Sequence, residues 1–194
     1  MRLCTSTPIT AVVYTDGTSA DLVMRSIADD LVARGYAVAG FLQINRPRVD
    51  RVRCDAILQE IASGAQVTIS EDRGPNARGC MLDIRELARA EMLAAKALAA
   101  SPDLLIINKF GKTESEGGGF RQLMVAAIEQ TVPILISVPA RNLDPWRIFS
   151  GDMSIDHPLA TLSTDIDVLY QQLGFVDADK RRSNLPGTDA NDSR

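Results

Sequence analysis

Histidine, cysteine and long apolar runs are scarce in this chain. The one histidine is His157, and the three cysteines, Cys4, Cys54 and Cys80, are far apart. An odd, scattered set of thiols does not make a disulfide framework and suits a reducing, cytoplasmic setting. There is no CxxC or CxxH pair, so a zinc site would have to be assembled from distant ligands, and no metal site is expected. No stretch approaches the eighteen or so apolar residues of a membrane span. The first ten residues carry one arginine and no apolar run of signal length. Excess positive charge is also lacking: 21 Lys and Arg stand against 25 Asp and Glu, a formal net charge of -4. That balance argues against general nucleic-acid binding, which needs a basic field.

What is present is ordinary for a globular protein. Hydrophobic residues make up 45% and charged residues 24% of 194. This excludes a wholly disordered chain and a collagen. A chain this long buries about two thirds of its unfolded surface without needing a disulfide or metal staple. Residues 1–175 read as a single domain. From Val176 onward periodicity and apolar residues fail, which predicts a disordered tail over 176–194.

Hydrophobic patterning predicts alternating strands and helices. ITAVVY (9–14) is a short apolar run followed by a turn, and Leu22, Val23, Ile27, Leu31 and Val32 then recur at helical spacing up to Gly35. YAVAGFLQ (36–43) is a second strand, expected to lie parallel to the first through a right-handed crossover. Residues 54–61 and 66–70 flank Ser63-Gly64 as an antiparallel hairpin. Asp83 is placed to cap an alanine-rich helix ending near Ala100. Further strands are expected at 103–108 and 133–138, and helices at 120–130, 142–149 and 164–173. Segments 71–81 and 109–119 read as loops, and His157 falls in a loop without an evident partner. The sum is an α/β three-layer sandwich with a mainly parallel sheet and an inserted β-hairpin.

In such sheets ligands bind beyond the carboxyl ends of the strands. The residues there are Thr15, Asp16, Gly17, Thr18 and Ser19 after the first strand, Asn45 and Arg46 after the second, Asn108, Lys109 and Lys112 after the third, and Arg141 and Asn142 after the fourth. Arg78, in the 71–81 loop, is a further candidate. Several cations on one rim of an acidic protein suit a small anion. Loops also carry Arg and Lys for solubility alone, and the four arginines of 46–53 fit a solvated loop or a protein partner equally. The first turn is not a standard phosphate loop: it has one glycine, Gly17, and no lysine, and Asp16 and Asp21 bring carboxylates to the helix start. Arg78-Gly79-Cys80 sets a thiol beside a cation, although a buried inert thiol explains Cys80 equally. Trp146 follows an early proline as a core anchor. Gly117 to Gly119 reads as a hinge or a plain connector.

The segments VVYTDGTSAD, GFLQINRPR, EDRGPNARGCMLD, INKFGKTESEGGGFR and VPARNLDPWRIFSG, spread over residues 9–152, carry a resemblance. They resemble the thermophile-type nucleoside triphosphatases of the P-loop class. More closely, they resemble a bacterial domain-of-unknown-function family, number 2478, associated with molybdenum transport. The resemblance implies a P-loop-like fold, but with departures. The family pattern's phosphate-binding lysine falls on Ala20 and its magnesium hydroxyl on Asp21, while the acidic pair of the Walker-B strand falls on Asn108 and Lys109. Phosphoryl transfer without those groups loses its main electrostatic stabilisers. The expectation is therefore a non-hydrolysing protein with no catalytic residue assigned. It would bind an oxyanion such as molybdate or tungstate, or a nucleotide, and the sequence leaves a homo-oligomer open. The alternative is a nucleoside triphosphatase or phosphotransferase in which Lys109 or Lys112 stands in for the missing lysine and Asp16 or Asp21 holds the metal. A third reading is a regulatory partner that contacts another protein through its arginine loops.

Overall fold

A computed structural model of the protein describes residues 8–47, 54–71 and 82–175; within these, the side chains of residues 163–165 are not described. Its order is β1 (Ile9–Tyr14), α1 (Gly17–Ala33), β2 (Val38–Arg46), β3 (Asp55–Glu60), β4 (Gln66–Thr68), α2 (Ile84–Leu98), β5 (Leu104–Ile107), α3 (Lys112–Ser115), α4 (Arg121–Glu129), β6 (Ile134–Pro139), α5 (Leu143–Ser150), β7 (Ser154–Pro158) and α6 (Leu159–Gln172). One seven-stranded sheet runs β4-β3-β2-β5-β6-β1-β7. The strands β2, β5, β6, β1 and β7 are parallel, and the hairpin β3–β4 adds two antiparallel strands beyond β2. The first two strands are parallel, as expected, but they are not neighbours: β5 and β6 lie between them.

The sheet is covered on both faces, which is why its central strands read as unbroken apolar runs. On β5, Leu104 and Ile106 face one layer, and Leu105 and Ile107 face the other. The first layer is α1 and α6, which pack Met24, Ile27, Leu31, Leu169 and Leu173 against Val12, Leu42 and Leu135. The second is α2, α4 and α5, which pack Leu87, Leu98, Met124 and Trp146 against Ala11, Phe41 and Ile136. The buried set of α1, Ala20, Met24, Ile27, Ala28 and Leu31, repeats at helical spacing, and Gly35 ends the turn at φ 84°. Gly40 lets β2 approach β5 closely. Its φ is 110°, and a Cβ there would sit 1.9 Å from the Ile106 carbonyl oxygen.

The structure departs from the sequence expectation first at β2, which runs on to Arg46, so that Asn45 and Arg46 pair with Ala56 and Asp55 of the hairpin instead of following the strand. Residues 154–158 form the edge strand β7, where His157 shares a hydrogen bond with Gln172 rather than sitting in a loop. The strand is short and carries polar residues at most positions, so it lacks the apolar signature of its neighbours. The last helix starts at Leu159, not near 164. Within the expected 109–119 loop, Lys112–Ser115 form a single helical turn. Trp146 is fully buried and donates its indole N–H to Asp156 Oδ1 at 3.0 Å. Among the described residues, no helix is long and apolar enough to cross a membrane.

Candidate functional site

The carboxyl ends of β1, β2, β5 and β6 converge, and the residues just beyond them form a charged cluster. The start of α1 supplies its outer rim. Asp16 is the N-cap: its carboxylate accepts from the N–H groups of Thr18 and Ser19, both at 3.2 Å, and from the Ser19 hydroxyl. These bonds stabilise the charged form and hold the Asp16 carboxyl below the usual aspartate range. The first turn thus spends two of its backbone donors, and a serine hydroxyl, on its own aspartate. Thr15 is exposed and Gly17 half-buried beside this cap.

Deeper in lie Asp21, Lys109, Tyr14, Asn108 and Glu114. Asp21 projects from α1, half-buried, and accepts from Asn45 Nδ2 at 3.0 Å. Burial raises its pKa, opposed by the charge of Lys109 and by hydrogen bonds from Asn45 and Asn108. Lys109 follows β5. Burial lowers its pKa; Asp21 and Glu114 favour its charge, and Arg141 opposes it. Arg141, just past β6, also acts on Tyr14, whose pKa is raised by burial and by Asp21. Lys109 is thus close enough to feel Asp21, Glu114 and Arg141, and Tyr14 to feel Asp21 and Arg141.

Asn108 is buried and structural as well as local to the site. Its Oδ1 accepts the Gln43 N–H at 3.0 Å, tying the end of β2 to β5, and its carbonyl accepts from the Ser137 hydroxyl on β6. Glu114, which sequence reasoning passed over, closes the segment after β5. Only 5% exposed, it accepts the N–H of Gly111 at 2.8 Å and of Phe120 at 3.2 Å. Gly119 makes room for it: a Cβ there would stand 2.0 Å from Glu114 Oε1, at φ 58°. Gly119, the last of the glycine run, therefore serves to admit a carboxylate. Burial raises the Glu114 pKa, against the two backbone hydrogen bonds and Lys109. The available signal was a glutamate five residues before a glycine, which is too common to single out.

The other candidates sit apart from this cluster or bound it. Lys112 is exposed and pairs with Glu116 at 3.6 Å, one turn on. Asn142 donates to the Phe110 carbonyl at 2.8 Å and so braces the chain after β5. Arg46 ends β2, exposed and opposite Asp55. Arg78, Cys80 and the arginines at 48, 51 and 53 lie outside the described residues. Two cavities open at this end of the sheet. One, about 430 Å³, lies along α1 and is lined by Thr18, Asp21, Arg25, Gln43, Asn45 and Gln59 among others. The second, about 250 Å³, is reached by Lys109, Gln43 and Cys54. Among the described residues, no group of three or more His, Cys, Asp or Glu side chains is placed to share a metal ion.

Fold and site together define a mostly parallel α/β sandwich of the Rossmann or P-loop-like kind, with its polar groups gathered where such sheets bind ligands. The chain belongs to the family Protein of unknown function (DUF2478), whose model matches residues 9–164. It is also similar to the Molybdenum import ATP-binding protein ModC 2 of Bradyrhizobium diazoefficiens, 32% identical over 145 residues. That match takes in 74% of this chain and 16% of the relative, so this chain corresponds to a small part of that protein. No solved structure shows a significant match to it.

Proposed function

We propose that this protein binds a nucleotide or a tetrahedral oxyanion without hydrolysing it, and does so in the handling of molybdenum or tungsten. The observation that carries the reading is the placement of two cations, Lys109 and Arg141, just past the carboxyl ends of the neighbouring parallel strands β5 and β6, where the half-buried Lys109 feels the charge of Arg141. An anion shared by the two relieves that repulsion and favours the charged form of Lys109. The metal assignment rests on the similarity to a protein whose name is a molybdenum import ATP-binding protein. The absence of turnover is supported by the first turn, where Asp16 takes up the Thr18 and Ser19 N–H groups that would otherwise face a phosphate. It is supported also by Asn108 and Lys109, which stand where the resembled triphosphatases carry acidic residues.

A thermal-shift panel of molybdate, tungstate, sulfate, phosphate, ADP and ATP, with and without magnesium, tests this. A ligand at about 100 times its Kd adds roughly 2.7 kcal/mol, a shift of several degrees. The expected result is a ligand-induced rise that Lys109→Gln and Arg141→Gln each diminish. A rise unaffected by either change removes the cation pair from the site. Release of phosphate from magnesium ATP at a rate that Asp21→Asn abolishes would replace the reading with that of an enzyme.

A further inference from the structure

The 430 Å³ cavity beside α1 is larger than a bare oxyanion requires and lies in the range of organic ligands. Its α1 wall is one helical stripe, Thr18, Asp21, Leu22 and Arg25, spaced so that all four face the same way. Leu22 is 65% exposed at the lip, and Ile44 lines the cavity from β2, giving it apolar surface against which a flat ring can lie. The remaining groups are hydrogen-bonding and mixed in sign. Arg25 donates to Gln59 Oε1 at 3.4 Å, which uses one of its five donors. Gln43 Nε2 donates to Asn45 Oδ1 at 2.6 Å, and Asn45 in turn donates to Asp21. The Asp21 carboxylate can only accept, and the Arg25 guanidinium can only donate. They sit one turn apart, with Cβ atoms about 5–6 Å from each other by helix geometry.

We infer that this cavity holds the ring of a phosphorylated 2-amino-4-oxopyrimidine heterocycle, the edge chemistry of guanine. Such a ring presents an acceptor pair, carbonyl oxygen and ring nitrogen, beside a donor pair, ring N–H and amino group. Arg25 matches the acceptor pair, and Asp21 matches the donor pair. Adenine reverses both: it would turn its amino group toward Arg25 and a bare ring nitrogen toward Asp21. Gln43 lines both this cavity and the neighbouring one that Lys109 reaches, and the charge of Lys109 acts on Asp21, which puts the phosphate on the β5 side of the ring. This inference rests on the anion-binding reading for the phosphate and on the cavity alone for the ring. Pterins share the same edge and are the second source of this chemistry.

Isothermal titration of the full chain separates these. The probes are guanosine, adenosine, pterin, pyrophosphate, GDP and ADP. GDP is expected to bind about tenfold or more tightly than ADP, and guanosine more tightly than adenosine. Arg25→Gln and Asp21→Asn are each expected to bring the GDP to ADP ratio near one; a ratio is read because either change could alter overall stability. Pterin binding tighter than guanosine would assign the ring to a pterin and uphold the edge chemistry. Pyrophosphate binding with no preference for GDP over ADP would overturn the ring site and leave the anion reading standing. Guanosine preferred over adenosine without pyrophosphate binding would do the reverse. No binding by any probe, or a ratio unchanged in both variants, overturns the inference.

Discussion

Asp16 and Glu114 do the same work in opposite surroundings. Each is a carboxylate that accepts two backbone N–H groups and so fixes the chain just beyond a strand of the sheet. Asp16 does so in water, and its hydrogen bonds decide its acidity, which is increased. Glu114 does so in the interior, where the loss of hydration outweighs two comparable bonds and its acidity is decreased. Burial also multiplies what depends on the group. An exposed cap can be replaced by water, whereas the donors of Gly111 and Phe120 would be left with little access to it. The segment that carries Lys109 is therefore the stiffly specified part of the site, and the α1 start the tolerant part.

The sharpest way to break that contrast is Gly119→Ala. The new Cβ would fall on Glu114 Oε1 at a positive φ, so the carboxylate or the chain must move. A loss of about 3 kcal/mol or more is expected in denaturant unfolding, with loss of any ligand response that depends on Lys109. A variant as stable as the parent would show that Glu114 is not held as described. Glu114→Gln is the intermediate case: it keeps an acceptor for one N–H and offers an amide to the other, at an expected cost of about 1–2 kcal/mol.

Acidity gives the two carboxylates a second readout, with opposite signs. Glu114 has a folded pKa above the glutamate value of 4.5, so the folded state keeps a proton that the unfolded state has released. Its contribution is complete below that value and declines as pH rises through the folded pKa. Lys109 restrains this rise, while Glu91 on α2, whose own pKa is raised by burial and by Glu114, adds negative charge nearby. The stability gap between parent and Glu114→Gln should therefore narrow as pH climbs above about 4.5. Asp16, held below the aspartate value of 3.8, behaves the other way. Its gap to Asp16→Asn should be constant near neutrality and close as pH falls below about 4. Parallel melting curves for both pairs from pH 3 to 7 would erase the distinction. The smallest effect is Asp16→Ala at neutral pH, an expected drop of about 2–4 °C in melting temperature, read by circular dichroism.

The sequence shows Asp16 more clearly than Glu114 for a physical reason. A helix cap is a local event, and an aspartate just before Gly17 and a polar turn announces it. Glu114 is legible only once Gly119 and Phe120 have folded back over it, a contact that no periodicity reports. The strands β1, β2, β5 and β6 were visible because burial on both faces leaves an apolar run. The edge strand β7 was not, since its Asp156 and His157 serve side-chain hydrogen bonds and break the pattern. Lys109 and Arg141 could be placed at the rim from strand order alone. That Lys109 is half-buried and feels the charges of Asp21 and Glu114, while Lys112 pairs at the surface with Glu116, depends on three-dimensional packing. Asp21 likewise gains its place at the cavity only from the Asn45 amide reaching it from β2.

The position of β1 sets a timetable. Ile9 is among the first described residues, yet its strand lies between β6 and β7 and pairs with Ile134 and Ser154. At a synthesis rate of about 5–20 residues per second, β1 waits on the order of ten seconds for its first partner to be made. Through that interval β1 has α1 to pack on but no strand to pair with, and Tyr14 and Arg141, at the ends of neighbouring strands, have not met. The chain must be made through β6 before any ligand could find the site, which makes slow folding the expected behaviour of this topology.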